Sequence, residues 1–312
     1  MKNNDNFIMS PMNDFCFKEL MQNEKVRQGF LAAILGEKPE RIAHTILLPT
    51  ETRRAYIDDK LAILDVRVCL VDGTQIDLEM QVEYFESWDK RTLFYLSKMY
   101  TDQLKKGESY DTLKKCIHVG VLNFIHFPEA EEGYHIVSFY NEKTGKKYTD
   151  LLELHILELP KLPALLEAMK RGKGKTDVDI IHWMQFFRGK TKGEFETMAK
   201  ENEYVEEAVN RLFELSGDEK KRIEYEQREK AIRDYHSQME SAERRGAQRG
   251  LEEGRALGLE EGIVCGKTQG RELHLKELVK KKLLKNLSAQ EIAEMLEEPI
   301  DRIEEIVEEV KR

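Results

Sequence analysis

The chain has 312 residues, which is enough for one large domain or two. Its 40% hydrophobic content is sufficient for a folded core, whereas its 35% charged content exceeds that of an average globular protein. The formal net charge of -9 excludes a protein that binds nucleic acid by bulk positive charge alone, so any such contact must be local.

The sequence contains no sign of a membrane segment or of a disulfide framework. No stretch approaches the roughly 18 consecutive apolar residues of a membrane span, and the N-terminal residues lack the apolar core of a signal peptide. We therefore expect a cytoplasmic protein without membrane contact. The cysteines have neither CxxC nor Cys/His metal spacing, and we expect buried thiols at Cys16, Cys69, Cys116 and Cys265.

Helical and strand-like patterns alternate over the first 160 residues. Apolar residues at helical spacing predict one amphipathic helix over 14–35, with Asn13 or Asp14 as its N-cap and Gly36 at its end. A second helix is predicted over 88–104.

Strand-like runs lie between and after these helices. The first two are joined through Asp72-Gly73, a dipeptide typical of hairpin turns. Three more follow at 116–127, 134–142 and 151–159. The order of the elements predicts a mixed α/β domain with a sheet flanked by helices.

The chain after residue 160 has an almost entirely helical pattern, with one unusual repeat. Glycine recurs at every fourth position: Gly246, Gly250, Gly254, Gly258, Gly262, Gly266 and Gly270. Each glycine costs about 1 kcal/mol relative to alanine in a helix interior. Two interpretations stay open, a helix that packs closely against a partner helix and a linker that is only partly helical.

The last forty or so residues predict a small helical hairpin. Ser288 and Glu291 form a capping box, and a second helix begins near Pro299. That second helix carries acidic residues where a DNA-reading helix needs Lys or Arg: Asp301, Glu304, Glu305, Glu308 and Glu309. An interaction or oligomerisation module is therefore favoured over a helix-turn-helix DNA reader.

The register of the first hairpin decides which side chains share a face. With a two-residue loop at 72–73, Asp65 and Glu79 face opposite sides of the sheet; with a three-residue loop at 71–73, they pair directly. Burial selects the longer loop because it separates the side chains by polarity. One face then carries Leu64, Val66, Val68, Leu70, Ile76, Leu78 and Met80, and the other carries Asp65, Arg67, Asp77, Glu79 and Gln81.

The paired carboxylates of Asp65 and Glu79 have two interpretations. Their Cβ atoms would lie about 4.5–5.5 Å apart, so the charges repel unless a cation lies between them. Hard oxygen ligands in this arrangement suit Mg²⁺ or Mn²⁺. The alternative is a solvated sheet face on which Arg67 neutralises both acids.

Asp65, Glu79 and Gln81 resemble the D-x(n)-E-x-K signature of PD-(D/E)XK nucleases, with Gln in the place of Lys. Three ordered blocks resemble the Rpn family more specifically, the recombination-promoting nucleases also described as PD-(D/E)XK putative transposases. The blocks are PMNDFCFKELM, KLAILDVRVCLVDGTQIDLEMQ and RTLFYLSKMYTDQLKKGESYDTLKKCIHVGVLNF. The resemblance covers about residues 9–160.

The resemblance implies a restriction-endonuclease-like mixed sheet flanked by helices, followed by a mostly helical C-terminal region. We expect four segments: a nuclease domain (1–160), a helical extension (161–245), the glycine-repeat linker or helix (246–271) and the helical hairpin (272–312). The implied activity is Mg²⁺- or Mn²⁺-dependent endonucleolytic hydrolysis of DNA, linked to recombination or mobile DNA. The alternative is a noncatalytic nuclease-fold module that binds nucleic acid or protein through its helical tail. We expect DNA as a partner and a homo-oligomer formed through the C-terminal helices.

The resemblance also implies roles for individual residues. Asp65 and Glu79 would hold the metal, and the backbone carbonyl of Met80 would complete the inner shell. Gln81 can hydrogen-bond a water but cannot accept its proton or supply positive charge. Lys60 or Lys98 would then provide the missing cation.

Two groups of accessory candidates lie on the flanking helices. Arg91, Tyr95 and Lys98 share one helix face, where they either contact phosphate or form a helix rim. Asp14 and Lys18 lie one turn apart on the first helix. In related nucleases an acidic residue there assists the metal, although Asp14 serves equally well as an N-cap.

Other signals predict no chemistry. GKGKT at 172–176 ends like a P-loop but lacks its first glycine and its preceding strand, so it is better interpreted as a basic linker. His118, His126 and His135 have no ligand spacing, and we expect them to be hydrogen-bonded or surface histidines. No GxSxG motif supports acyl transfer.

Overall fold

The computed structural model describes residues 7–50, 64–172 and 177–311 of the chain. These form two compact units, Met1–Ile232 and Arg233–Arg312. A mixed six-stranded sheet flanked by helices lies in the first unit, and a long helical region follows it. The predicted fold class is thereby confirmed, while the limits of the four predicted segments stay predictions.

The strands of the sheet are β1 (Ile46–Leu48), β2 (Val66–Cys69), β3 (Gln75–Gln81), β4 (Cys116–Leu122), β5 (Tyr134–Tyr140) and β6 (Lys147–Glu158). The α-helices in the described ranges are α1 (Asp14–Gln22), α2 (Glu24–Leu35), α3 (Trp88–Thr101), α4 (Leu162–Lys170), α5 (Val178–Arg188), α6 (Lys192–Met198), α7 (Glu203–Gly217), α8 (Glu219–Leu283), α9 (Ala289–Leu296) and α10 (Ile300–Lys311). None of these helices is both long enough and apolar enough to cross a bilayer.

The predicted single helix over 14–35 is wrong in one respect, because Asn23 divides it into α1 and α2. The Asn23 side chain accepts a hydrogen bond from the backbone N–H of Val26 and so caps a new helix start. Asn13 caps α1 in the same manner, which settles the choice between Asn13 and Asp14. Gly36 ends α2 in the left-handed region with φ 63°, as predicted.

The hairpin of β2 and β3 has the three-residue loop that burial predicts. Val66 pairs with Leu78 across the two strands, and the Leu70 N–H donates to the Thr74 carbonyl at 2.9 Å. Gly73 has φ 88°, the left-handed conformation that this loop needs at its third residue. The register places the apolar strand residues against α1 and α2: Val66, Val68, Ile76, Leu78 and Met80.

One residue does not lie on the face of the sheet that the predicted register gives it. Leu64 precedes the first paired residue of β2, so strand alternation does not govern it. It packs instead with Leu96 and Met99 of α3 and with Cys116, on the opposite face of the sheet. The thiols are also less uniform than predicted, since Cys69 is half-buried and Cys265 is exposed.

The order of the strands in the sheet is β1-β2-β3-β4-β6-β5. Pairing is antiparallel from β1 to β3, parallel from β3 through β4 to β6, and antiparallel between β5 and β6. α3 forms the crossover from β3 to its parallel neighbour β4, as parallel pairing requires. β1 was not predicted, because three residues are too few to show alternation.

The helices after residue 160 share the core of the sheet. Trp183 and Phe187 of α5 contact the rings of Phe30 and Phe17 at centroid distances of 5.3 and 5.9 Å. Leu212 of α7 belongs to the same buried cluster. Aromatic contacts of α5, together with buried apolar side chains of α4, α6 and α7, therefore join these helices to the N-terminal helices in one apolar interior.

The second unit consists of the later part of α8 and the two terminal helices. Val279 of α8 packs with Ile292 of α9 and Ile303 of α10 in a small buried cluster. The capping box of Ser288 and Glu291 is present as predicted. The glycine repeat lies wholly within α8, so it is a helix rather than a partly ordered linker.

A glycine in α2 provides a test of this packing. A Cβ at Gly29 would lie 2.2 Å from the Cβ of Tyr204 on α7, so the two helices touch where only glycine fits. We expect Gly29→Ala to lower the free energy of unfolding by about 1–3 kcal/mol through overpacking, despite its better helix propensity. Urea denaturation measures the change.

The matched control is Gly217→Ala at the end of α7, where an added Cβ meets no atom within 4 Å. It should leave stability unchanged or raise it slightly. Equal stabilities for Gly29→Ala and the unsubstituted protein would contradict the close approach of α2 and α7.

Candidate active site

Acidic side chains concentrate where β2 begins and β3 ends. The paired part of β2 and β3 begins at Val66–Leu78, so Asp65 lies one residue before it, and its predicted pairing with Glu79 stays a prediction. Asp77 and Glu79 occupy alternate positions of β3 and point to the side covered by α3. They are only 1% and 3% exposed, so both carboxylates need compensating partners.

Asp65 is held by groups from α1 and β3. Its Oδ1 lies 2.9 Å from Nζ of Lys18, and its Oδ2 accepts a 3.4 Å hydrogen bond from the Met80 N–H. Burial raises the pKa of Asp65, and the nearby Lys18 ammonium only partly opposes this shift. Lys18 also lies 3.7 Å from Asp14, so the two predicted residues of the first helix adjoin Asp65.

Glu79 is neutralised from α3. The Arg91 guanidinium forms an ion pair with its Oε1, and the same guanidinium lies 3.4 Å from the side-chain oxygen of Gln81. Arg91 also lies over the ring of Tyr95, 5.2 Å from its centroid. The helix spacing that predicts one face for Arg91 and Tyr95 thus brings both beside the acidic strand.

The lysines predicted to supply positive charge are Lys60 and Lys98. Lys98 forms a 3.1 Å ion pair with Asp102 of its own helix rather than with the acids of β3. Lys60 lies outside the described residues, as do residues 173–176 of the basic loop. Lys18 and Arg91 are therefore the cations that contact Asp65 and Glu79 in the described part of the chain.

A histidine joins the acidic strand from its parallel neighbour. The register pairs Asp77 with His118, and Nδ1 of the fully buried His118 lies 2.7 Å from Oδ2 of Asp77. Its Nε2 lies 3.9 Å from Oε2 of Glu79. Among the described residues, Nε2 of His118 and Oδ1 of Asp77 have no hydrogen-bond partner.

The other two histidines differ from His118. The ring of His135 lies 2.9 Å from the buried carboxylate of Glu158, and the backbone N–H groups of His126 and Phe127 donate to the same carboxylate. His126 itself contacts Asp89 at 3.2 Å. Both match the expectation of partnered histidines, whereas His118 has one ring nitrogen without a partner.

The donor set fits a divalent metal ion. Ligand atoms of Asp77, Glu79 and His118 all lie within 4.8 Å of one another, and two of the unpartnered buried atoms, Oδ1 of Asp77 and Nε2 of His118, belong to this group. Asp65 is not part of the trio, and its carboxylate contacts Lys18 instead. The hairpin register predicts that Asp77 shares the acidic face, but His118 becomes visible only once β4 is known to be parallel to β3.

The chain also matches a family model. The model of the PD-(D/E)XK nuclease family transposase spans residues 11–242, which agrees with the resemblance inferred from the three blocks. No curated protein and no solved structure matches the chain. The family match thus extends beyond the sheet and includes the helices that share its core.

The raised pKa of Asp65 has a consequence for stability. Because the folded chain holds this proton to higher pH than the unfolded chain, ionisation of Asp65 costs folding free energy as the pH rises above its ordinary pKa of 3.8. We expect Asp65→Asn to raise the free energy of unfolding at pH 7 in EDTA, and the gain to shrink as the pH approaches 3.8. Urea denaturation at several pH values measures this.

Asp150→Asn removes an exposed carboxylate from β6 and serves as the control, with no expected change. An Asp65→Asn protein that is no more stable than the unsubstituted one at pH 7 would show that Lys18 fully compensates the buried charge.

Proposed function

Because the chain belongs to the PD-(D/E)XK nuclease transposase family, we propose that it is a divalent-metal-dependent endonuclease that hydrolyses DNA phosphodiester bonds. The observation that carries the proposal is the buried Glu79 on β3, with Gln81 two residues further along the strand and Asp65 one residue before the paired part of β2. The family links the chain to nucleases and to mobile DNA. Recombination is the proposed process, and the cytoplasm is the proposed place of action because an intracellular chromosome or plasmid would be the substrate.

We assign Asp65 and Glu79 as the carboxylates that would hold Mg²⁺ or Mn²⁺, together with the backbone carbonyl of Met80. Two acidic oxygens and a carbonyl oxygen are ligands that these ions prefer. A bound ion would lower the pKa of the attacking water and stabilise the charge of the phosphate in the transition state. Asp14 would act through Lys18, since the Lys18 ammonium lies between Asp14 and Asp65.

Gln81 stands where the wider signature has Lys, so the site must obtain positive charge elsewhere. The Gln81 amide can accept or donate a hydrogen bond and would orient the water. Lys18 and Arg91 would supply the charge, since they already contact the two metal-binding carboxylates. We prefer them to Lys98, which is engaged by Asp102.

DNA binding would depend on local rather than overall charge. The chain is acidic overall, but the side chains of Lys18 and Arg91 remain about one-third exposed, at 35% and 33%. Both can therefore reach a phosphate beside the carboxylates. Tyr95 would pack beside the Arg91 guanidinium and hold it in this orientation.

The test is nicking of supercoiled plasmid in Mg²⁺, Mn²⁺, Ca²⁺ or EDTA. We expect Mg²⁺ or Mn²⁺ to support nicking, and Asp65→Ala and Glu79→Ala to abolish it, because each removes a ligand of the ion. Asp150→Ala, which removes an exposed carboxylate from the same sheet, should retain full activity. Identical purification of all variants makes a contaminating nuclease visible as activity that survives substitution.

Equal inactivity of the unsubstituted protein and the variants on supercoiled, linear and single-stranded DNA would contradict the proposal. The noncatalytic nuclease-fold module would then account for the family match, and its DNA or protein partner would become the question.

We further propose that the chain forms a homo-oligomer through its C-terminal helices. Gly246–Gly270 extends over about 36 Å of helix, and a Cβ at any of the seven repeat glycines would meet no atom within 4 Å. Large apolar side chains that adjoin a repeat glycine along the chain are also exposed: Leu251, Leu257, Leu259 and Ile263. A second copy that packs on the stripe would bury these side chains and bring the helix backbones close together.

Bulky substitution in the stripe tests this assembly. We expect Gly254→Leu/Gly258→Leu to convert an oligomer into a monomer, because the added side chains keep the helices apart. Light scattering coupled to size exclusion measures the mass. Ala256→Leu, which adds the same bulk to the opposite side of the helix, should leave the oligomer intact; dissociation of both variants, or of neither, would contradict the stripe as the interface.

A further inference from the structure

We propose that His118 is a nitrogen ligand of the metal site, bound through Nε2 beside Glu79, and that Asp77 is the positioning residue that orients its ring. This inference rests on the proposed function because it uses the same carboxylate, Glu79. It identifies the class of ion that the site prefers: a transition metal such as Mn²⁺ or Co²⁺ rather than Mg²⁺.

The orientation of the His118 ring is the first argument. Oδ2 of Asp77 lies 2.7 Å from Nδ1 and can accept its hydrogen, and in the tautomer with the hydrogen on Nδ1 the lone pair lies on Nε2. Metal-binding histidines commonly have such a carboxylate on their second nitrogen, since it fixes both the tautomer and the ring. Nε2 is thereby directed to Glu79, whose Oε2 lies 3.9 Å away.

The missing partner of Nε2 is the second argument. His118 is 0% exposed, so no bulk water reaches the ring, and buried polar atoms in proteins are nearly always hydrogen-bonded. Nε2 nevertheless has no partner among the described residues. An ion shared with Glu79 would satisfy this atom.

The space beside Nε2 is the third argument. Glu79 pairs with Gly120 across the parallel strands, so no side chain of β4 stands directly beside the carboxylate. A Cβ at Gly120 would lie 3.7 Å from Nε2 of His118 and 3.2 Å from the ring of Trp88. The glycine thus leaves a small space beside Nε2 that is bordered by Trp88 and Leu122.

The donor types decide the class of ion. Carboxylates, carbonyls and waters suit Mg²⁺ and Mn²⁺ alike, whereas an imidazole is a ligand of transition metals and not of Mg²⁺. Glu79 and His118 together provide one oxygen and one nitrogen donor on the α3 side of the sheet. A site with this pair should therefore bind Mn²⁺ and Co²⁺ more tightly than Mg²⁺.

The experiment is pulsed electron paramagnetic resonance of the full chain loaded with Mn²⁺ alone, combined with calorimetric titration of Mn²⁺ and Mg²⁺. We expect the unsubstituted protein to show the modulation of a directly bound ¹⁴N. His118→Gln should lose this signal and about 10–100-fold in Mn²⁺ affinity, with little change for Mg²⁺. Asp77→Asn should retain the nitrogen signal but weaken Mn²⁺ binding by a similar factor, as expected of an orienting partner.

His44→Gln, which replaces an exposed histidine outside the site, is the matched control and should bind as the unsubstituted protein does. Loaded protein that binds Mn²⁺ without a ¹⁴N signal would overturn the proposal, and this result needs no variant to fold. Equal Mn²⁺ affinity in a folded His118→Gln protein would also overturn it.

Failure of the proposed function has a different signature. A nitrogen-bound Mn²⁺ in a protein that cleaves no DNA would support the ligand assignment and contradict the nuclease. Cleavage that depends on Asp65 and Glu79 but proceeds equally without His118, in a protein lacking the nitrogen signal, would support the nuclease and contradict the ligand.

Discussion

The pairing of β3 with its two neighbours is the constraint on which the candidate site depends. On one side, the antiparallel hairpin pairs Val66, the residue after Asp65, with Leu78, the residue before Glu79; on the other, the parallel register sets His118 beside Asp77. The carboxylates do not choose these positions themselves, because their charges repel one another. Both pairings follow from the apolar residues of the opposite face, which reach the core only in this register. The hydrophobic effect therefore holds together a group of acids that would otherwise separate.

Two cations and one histidine compensate the buried acids, and they come from three different elements. Lys18 on α1 contacts Asp65, Arg91 on α3 contacts Glu79, and His118 on β4 contacts Asp77. Each contact spans a packing interface, so the charge balance of the site requires that the helices and the sheet are assembled. Compensation is incomplete, since burial still raises the pKa of Asp65. Carboxylates with a raised pKa are common in active sites, where residues placed for catalysis lower the stability of the fold.

Local sequence patterns predict many of the helices, strands and turns. They do not predict which strands pair over long separations in the chain. Alternation and turn chemistry predict the register of β2 and β3 because the hairpin closes over a few residues. Three residues carry no detectable period, so the sequence does not predict β1, and the apolar spacing on both sides of Asn23 hides its role as an N-cap. His118 lies about forty positions from Asp77, and nothing in either segment specifies that β4 runs parallel to β3. The family resemblance contributed the roles of Asp65 and Glu79, which geometry alone does not distinguish from that of Asp77.

The glycine repeat of α8 gives this helix an unusual thermodynamic character. Each glycine weakens a helix interior by about 1 kcal/mol, and in the described structure the seven repeat positions have no packing contact that would offset this cost. Helical order in 246–270 is therefore coupled to whatever covers the stripe, and by mass action it should rise with the concentration of the covering partner. Backbone amides of this stretch would exchange with solvent through local opening far more readily than those of α5, whose aromatic side chains are locked in the core. The helix content of 246–270 would thus increase when a partner binds the glycine stripe.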